Sequence, residues 1–243
     1  MAAQAVFEGQ ATLVSFGAML DESQMRQLGN NFWRDLRENV RQEQERMPVF
    51  ASAPLILREG LLFPYLAGAD FVRWFEQALP DTQPYGPRLP RSTEQILHPE
   101  RYHLGDAPTD LRIVHSGPDT ALYQDNWGEF ETRILLQELS GSESLGTAAA
   151  LGWDGDWFAI YPGPRGAEPI VWWSVWDDSA AARRFAGTLE RHWRTRVAPG
   201  RRFQIEQQAV GHLPGVRFVD AATDWAGWAR LPGAELRSPF DRP

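Results

Sequence analysis

Two residue types are missing from the sequence, cysteine and lysine. The absence of Cys excludes disulfide frameworks, cysteine-based zinc sites and thiol nucleophiles. All 24 basic residues are arginine. The absence of Lys therefore excludes Schiff-base chemistry and a phosphate-binding loop that uses a lysine.

Long apolar runs are missing as well. No stretch approaches the roughly 18 consecutive apolar residues that a membrane helix requires. The sequence does not start with a basic patch followed by an apolar run, so no signal peptide is recognised. We therefore expect no membrane span.

The composition is that of a globular protein. Of the 243 residues, 43% are apolar and 23% are charged. The formal net charge of -8 argues against nucleic-acid and anionic membrane partners. Tryptophan is unusually frequent, with 11 residues, and we expect these indoles mainly in the core.

The pattern of turns and periodicities predicts an α+β fold, in which a helical N-terminal part is followed by a small antiparallel sheet packed with helices. We expect a helical part with a proline-rich loop over residues 1–105. An α+β part with a Trp-rich hairpin follows over residues 106–230. Residues 231–243 are rich in Pro, Gly and charge and are predicted to be a loose tail.

Several boundaries follow from helix and turn signals. Asp21, Glu22 and Ser23 are predicted to cap a polar helix over residues 24–46. Pro64 is expected to separate two helices, over residues 55–62 and 65–79. Other predicted features are a helix from about Trp127, a turn at Asp154–Gly155, and a hairpin of strands Trp157–Tyr161 and Ile170–Trp176.

The first twenty residues predict a helix that is apolar on two sides. One stripe contains Val6, Gly9, Leu13, Phe16 and Leu20, and the other contains Phe7, Ala11, Val14 and Ala18. A helix of this kind is normally buried between neighbours. No earlier element of the sequence could cover both sides. We therefore expect an upstream segment, or self-association through this helix.

Glu8 lies at the edge between these two stripes. A carboxylate in that position is costly to bury unless a cation, a metal ion or a hydrogen-bond donor meets it. Glu8 is therefore a candidate metal ligand. The alternative is that its carboxylate reaches solvent or pairs with an arginine.

A second candidate is the polar segment Arg91–His103, which follows the proline-rich loop. His98 and Glu100 could bind a metal ion or act in acid–base catalysis. In the alternative interpretation, Glu94 completes a capping box with Arg91 or Ser92 and His98 bonds to the backbone. Pro99 prevents a continuous helix through this point, so His98 and His103 would not share a helical face.

The remaining polar signals are weaker. Four aspartates cluster near the ends of the hairpin, and two histidines are isolated: Asp154, Asp156, Asp177, Asp178, His192 and His212. The spacing of a calcium loop is missing, so turn and cap roles are sufficient for the aspartates. We expect core or surface roles for both histidines.

Two segments carry a resemblance to a known family. Ala5–Val14 (AVFEGQATLV) resembles the EGxAT helix of a bacterial family that is similar to gluzincin-type zinc metallopeptidases. Pro90–Tyr102 (PRSTEQILHPERY) resembles the P-x-STEQ-hydrophobic-LHP-x-x-Y signature of the same family. Phe63–Tyr65 and Gly152–Asp156 are similar to further landmarks of the family.

The resemblance implies that a preceding helix carries His-Glu-x-x-His, with two zinc ligands and the general base. Glu8 would then be the third ligand. From the chemistry of their side chains rather than from the resemblance, His98, Tyr102 and Glu94 are candidates for lining the substrate cleft. The sequence contains no His-Glu-x-x-His, and a single carboxylate cannot hold a catalytic zinc ion. Zinc is thus expected only with the missing upstream ligands, and the chain alone is expected to be inactive.

Two rival interpretations belong to other classes. In the first, the chain is a binding or scaffolding module whose Trp-rich hairpin presents an aromatic surface. This requires that some of Trp157, Trp172, Trp173 and Trp176 are exposed side by side. In the second, an enzyme site is built wholly within the chain around His98, Glu94 and Glu100.

Overall fold

The computed structural model describes residues 1–19, 23, 30–114 and 120–237. The chain divides into two compact units, Met1–Ala107 and Pro108–Pro243. The predicted α+β class is confirmed, because a helical first unit is followed by antiparallel sheets packed with helices. Within the described ranges, no helix is long and apolar enough to cross a membrane.

The first unit is helical. Its described α-helices are α1 (Ala2–Met19), α2 (Asn30–Glu45), α3 (Pro48–Ala51), α4 (Leu55–Ala78), α5 (Thr93–Leu97) and α6 (Pro99–His103), with a 3₁₀ turn over Gly86–Arg88 in the proline-rich loop. The predicted break after His98 is confirmed, because α5 ends at Leu97 and Pro99 begins α6. Asp21 and Glu22, predicted as cap residues, lie outside the described residues.

Helices α1 and α4 pack closely through two glycines. A Cβ atom on Gly9 would lie 2.2 Å from the carbonyl carbon of Gly68. A Cβ atom on Gly68 would lie 1.9 Å from the carbonyl oxygen of Ala5. Only residues without a side chain allow this backbone approach. The buried side of α1 is therefore fixed against α4.

The break predicted at Pro64 is wrong, since α4 continues through this residue. Proline removes one backbone hydrogen bond and disfavours a helix interior by about 3 kcal/mol. Phe63, Pro64 and Leu66 are all buried. Their burial offsets the cost, and the chain keeps one long helix where the local signal indicates two.

The second unit is built on an antiparallel sheet. Its elements are β1 (Leu111–Val114), β2 (Tyr123–Asp125), α7 (Glu129–Ser140), α8 (Glu143–Ala150), β3 (Trp153–Ile160), β4 (Ile170–Trp176), α9 (Ser179–Trp193), β5 (Arg201–Gln207), β6 (Gly215–Ala222) and β7 (Gly233–Leu236). The main sheet has the strand order β2-β3-β4-β6-β5, and β1 pairs with β7 in a second sheet. The predicted hairpin is confirmed as β3 and β4.

Each face of the main sheet contributes to a separate hydrophobic core. On one face, Trp172 and Trp176 of β4 pack with residues of α7, α8 and α9. On the other face, Trp173 of β4 packs with residues of β1, β6 and the segment around Trp225. Apolar residues on both faces of β4 are therefore explained by its central position in a covered sheet.

Three local predictions differ from the structure. The turn predicted at Asp154–Gly155 is wrong, because β3 runs through these residues with a bulge between Trp153 and Gly155. Helix α7 begins at Glu129, two residues after the predicted start. Within the segment predicted as a loose tail, Gly233–Leu236 forms β7, because β1 supplies a pairing edge that sequence patterning does not reveal.

Candidate functional site

Glu8 lies on α1, between a buried side and an exposed side. Ala5, Val6 and Gly9 are buried, whereas Phe7 is 55% exposed and Val14 is 62% exposed. Glu8 itself is half-buried. Among the described residues, no side chain forms a hydrogen bond or an ion pair with its carboxylate. Within the described part of α1, most of the first predicted stripe is thus buried, whereas the residues of the second stripe are exposed.

The aromatic ring of Phe7 is held by the proline-rich loop. Its ring stacks on that of Tyr85, with the centroids 5.7 Å apart and the planes 9° from parallel. The same loop is tied to α6, because the Tyr102 hydroxyl donates to the carbonyl oxygen of Arg88 at 2.9 Å. The loop therefore has a defined position although it contains little regular structure.

The second predicted segment, Arg91–His103, is held by hydrogen bonds of buried polar side chains. Ser92, Thr93, Glu94 and Gln95 are all buried. Ser92 caps α5 by accepting a hydrogen bond from the Gln95 backbone at 3.2 Å. The Gln95 side chain accepts from the backbone of Arg91 at 2.7 Å and donates to the carbonyl oxygen of Asp106. Gln95 thus links Arg91, at the start of the segment, to Asp106, just beyond its end.

In the alternative interpretation, Glu94 completes the capping box, but the structure places Gln95 in that role, since Gln95 occupies the third helical position and provides the returning side chain. Glu94 instead lies 3.4 Å from the guanidinium of Arg101, and its side chain is only 2% exposed. Arg101 also bonds to Asp106 at 2.8 Å. Glu94 is therefore part of an ion-pair network that supports the segment.

His98 and Tyr102 occupy different environments. His98 stands between α5 and α6, and its Nδ1 atom lies 3.7 Å from the Glu100 carboxylate. The ring of Tyr102 packs edge-on against Phe71, with the centroids 5.2 Å apart, and close to Trp74. Burial raises the pKa of the Tyr102 hydroxyl above its usual range. The phenol is therefore protonated at neutral pH and can donate a hydrogen bond.

The structure brings the two predicted segments into one unit. Helix α5, which begins the second segment, packs against both α1 and α4. Glu8 and the cleft candidates therefore belong to the same helical body. Across the described residues, however, no group of three His, Cys, Asp or Glu side chains could hold a metal ion.

The Trp-rich hairpin does not present an aromatic surface. Trp172, Trp173 and Trp176 are each at most 1% exposed, and only Trp157 is partly exposed. Their indole N–H groups donate hydrogen bonds within the protein. That of Trp173, for example, donates to the carbonyl oxygen of Pro232 at 3.1 Å. The binding-module interpretation therefore loses the aromatic surface on which it depended.

A buried carboxylate in the second unit has a structural role larger than the turn or cap role predicted for it. Asp156 accepts hydrogen bonds from the backbone N–H groups of Trp127 and Gly128, both at 2.9 Å. It also accepts the indole N–H groups of Trp153 at 3.2 Å and Trp172 at 2.9 Å. Burial nevertheless raises the pKa of Asp156 to about 6.

Glu131 was not singled out by the sequence, because an acidic residue in the first turn of a helix is ordinary. Burial, together with the nearby negative charge of Asp156, raises the pKa of its carboxyl to about 7. Asp156 connects the start of α7 to the sheet, and both carboxyls lie in a different unit from Glu8.

The other weak polar signals have ordinary roles. Asp178 caps α9 through the backbone N–H groups of Ala180 and Ala181. Asp154 accepts the hydroxyl hydrogen of Thr109 at 2.9 Å. His192 is half-buried and His212 is exposed.

Comparison with known proteins bears on the second unit. Residues 116–227 match a family described as a domain of unknown function (DUF8575). This match covers less than half of the chain and includes neither α1 nor the Arg91–His103 segment. Searches of curated proteins and of solved structures found no match.

Proposed function

We propose that this chain is the non-catalytic C-terminal portion of a zinc-metallopeptidase-like protein. In this proposal, Glu8 is one zinc ligand, and a helix with His-Glu-x-x-His that is not in this sequence supplies the other two ligands. Catalytic zinc requires three protein ligands and an open position. The residues present do not fit a zinc ion by themselves, so we expect this chain alone to be inactive.

The open side of α1 is the observation that carries the proposal. A soluble protein normally hides Phe and Val side chains along one helix stripe, yet Phe7 and Val14 are exposed here. Beside them, Glu8 is half-buried without a partner among the described residues. A helix packed on Phe7 and Val14 would cover this stripe and bring cationic or metal-bound groups to Glu8. Such a helix would bury Glu8 further, and those groups would compensate the cost of that desolvation.

The packing of the first unit supports the same proposal. The two segments that carry the family resemblance fold against each other, since α5 contacts α1. The close contact of Gly9 with Gly68 fixes the position of α1 and therefore of Glu8. A metal ligand needs this kind of rigid support.

The cleft candidates differ in what they can contribute. Tyr102 has a protonated hydroxyl, and His98 has a partly exposed ring. In a completed site, such donors could polarise a carbonyl group or stabilise an oxyanion. Glu94 is held by Arg101 and is better suited to supporting the segment than to contacting a substrate.

The test compares this chain with the longer protein encoded by the same reading frame upstream. We expect an in-frame His-Glu-x-x-His helix within a few tens of residues, zinc bound to the longer protein, and peptide hydrolysis by it alone. Glu8→Gln should remove both zinc and hydrolysis. Glu76→Gln, which changes an exposed carboxylate of α4, is the matched control and should leave both unchanged.

Three results would contradict the proposal. One is peptide hydrolysis by the chain of 243 residues alone. Another is an upstream sequence that contains no His-Glu-x-x-His. The third is full zinc occupancy in a folded Glu8→Gln variant of the longer protein.

A further inference from the structure

Strand β5 forms one edge of the main sheet. In the order β2-β3-β4-β6-β5, it pairs with β6 on one side only. Across the described ranges, no residue pairs with its other side. An edge strand of seven residues presents backbone donors and acceptors to any chain that can lie beside it.

Hydrogen bonds at both ends of β5 establish which residues face outward. The Gln208 N–H donates to the carbonyl oxygen of Gly215, and the Thr223 N–H donates to that of Gly200, both at 2.9 Å. In an antiparallel pair, alternate residues direct their backbone groups to the same neighbour. The even-numbered residues of β5 therefore bond to β6. The backbone groups of Phe203, Ile205 and Gln207 point to the open edge.

The side chains of β5 are complementary to themselves about Gln204. In an antiparallel pair with a second β5 and a twofold axis at Gln204, Phe203 lies opposite Ile205 of the second copy. Both residues have outward backbone groups, so this pair exchanges both of its hydrogen bonds. Arg202 then lies opposite Glu206 of the second copy, in a pair without backbone bonds, where side chains approach most closely.

The charged side chains favour this register over the two adjacent registers. A twofold axis at Phe203 or at Ile205 would also satisfy the outward backbone groups. Those registers place Arg202 or Glu206 opposite Gln204, without an ion pair. Of these three registers, only the axis at Gln204 pairs Arg202 with Glu206, and it places no like charges opposite each other. The third charged residue of the strand, Arg201, then lies opposite Gln207.

Arg202 and Glu206 already make contacts within one chain. The Arg202 guanidinium lies 4.0 Å from the ring centroid of Trp228. Glu206 pairs with Arg217 of β6, and its side chain is still 40% exposed. Arg202 and Glu206 lie on one face of the sheet. Phe203 and Ile205 lie on the other face and pack against the hydrophobic core that contains residues of α9. In the dimer, the ion pairs across the axis would share or replace the intrachain contacts of Arg202 and Glu206.

We propose that β5 pairs with β5 of a second copy of this chain, which makes one continuous sheet across a twofold axis. The partner is the chain itself, because the sequence Arg-Arg-Phe-Gln-Ile-Glu-Gln is complementary to its own reverse. The ordinary role of charges on an edge strand is to prevent pairing. Here the same charges attract when two copies meet in this register.

Sedimentation velocity over a concentration series, up to about 100 μM, tests the proposal in the full chain, in the usual range of weak dimers. We expect a monomer–dimer equilibrium that weakens at high salt. Arg202→Glu or Glu206→Arg alone places like charges opposite each other twice and should raise the dissociation constant on the order of 30-fold. The double variant Arg202→Glu/Glu206→Arg should restore dimerisation.

A mixture of the two single variants is the sharpest test. In a mixed pair, every position 202 again lies opposite a position 206 of opposite charge, so a heterodimer should form although each variant alone is monomeric. Circular dichroism verifies the fold of each variant, since Glu206→Arg also loses the pair with Arg217.

A backbone variant makes the test independent of charge. The Gln207 N–H points outward, so Gln207→Pro leaves the bonds to β6 intact and should weaken the dimer. Gln207→Ala keeps this N–H and should not. A chain that is monomeric at about 100 μM would overturn the proposal. So would a dimer that persists unchanged in Arg202→Glu and in Gln207→Pro, because it would use another surface such as α1.

Discussion

The carboxylate of Asp156 accepts the indole N–H of Trp172 at 2.9 Å, and both side chains are buried. The same carboxylate accepts the backbone N–H groups that precede α7. One side chain therefore links three elements of the second unit: β3, β4 and the start of α7.

We expect Asp156→Asn to lower the free energy of unfolding by about 3 kcal/mol, because an amide group presents its NH₂ to neighbours that are all donors. Urea denaturation of the full chain measures the change. Asp125→Asn is the matched control, since Asp125 is exposed on the adjacent strand β2. The control should change the free energy by less than about 0.5 kcal/mol. Equal losses in both variants would contradict this role of Asp156.

The contribution of two carboxyls, Asp156 and Glu131, to stability should fall as the pH rises from about 4 to about 7. The pKa values of Asp156 and Glu131 are raised by burial to about 6 and about 7. The folded state then binds protons more tightly than the unfolded state, so its advantage is complete at low pH and is lost as the pH passes the folded pKa values. For Glu131, the effect is on the order of 3 kcal/mol.

Urea denaturation at pH 5 and pH 8 checks this dependence. Glu131→Gln cannot ionise and should be more stable than the unaltered chain at pH 8 but not at pH 5. Glu138→Gln, an exposed position on the same helix, is the control and should keep the original dependence. A Glu131→Gln variant with an unchanged pH profile would show that this carboxyl is not responsible.

Features that are determined by residues close together in the sequence could be predicted. The class, the hairpin of β3 and β4, and the end of α5 before Pro99 follow from periodicity and from proline. The missed features depend on partners far away in the chain. Gly155 lies within β3 because the backbone of Thr109 fits against it, at 2.3 Å from the position of a Cβ atom. β7 exists because β1 pairs with it.

Among the candidate site residues, too, roles set by neighbouring residues could be predicted, whereas contacts with distant residues could not. Ser92 was recognisable as a cap residue from its own neighbours. Counting three residues from Ser92 places Gln95 at the capping-box position, whereas the pairing of Glu94 with Arg101 has no local signal. The four donors of Asp156 come from three separate segments, and no local pattern indicates that they converge.

The segment Arg91–Asp106 should depend on Gln95 more than on its exposed carboxylates. Gln95→Ala removes the bonds to Arg91 and to Asp106 and leaves buried backbone groups without partners. We expect a loss of about 2 kcal/mol in the free energy of unfolding. Glu100→Gln changes an exposed side chain of α6 and should be nearly neutral. Thermal denaturation followed by circular dichroism distinguishes the two variants. Similar losses of stability in both would argue against this role of Gln95.

Two glycines of α1 should respond in opposite directions to the same substitution. A Cβ atom at Gly9 would lie 2.2 Å from the backbone of Gly68, so Gly9→Ala must separate α1 from α4 or strain both helices. Overpacking of this kind typically costs about 1–3 kcal/mol, and backbone atoms cannot relax as a flexible side chain can. At Gly17, a Cβ atom would meet nothing within 4 Å. Gly17→Ala should therefore raise the stability by about 0.5–1 kcal/mol through helix propensity alone.

Thermal denaturation of the two variants measures this contrast on one helix. It also bears on Glu8, which adjoins Gly9 and depends on the same packing for its position. If Gly9→Ala proved as stable as Gly17→Ala, α1 would not be held at Gly68, and Glu8 would lack the rigid support that a metal ligand needs.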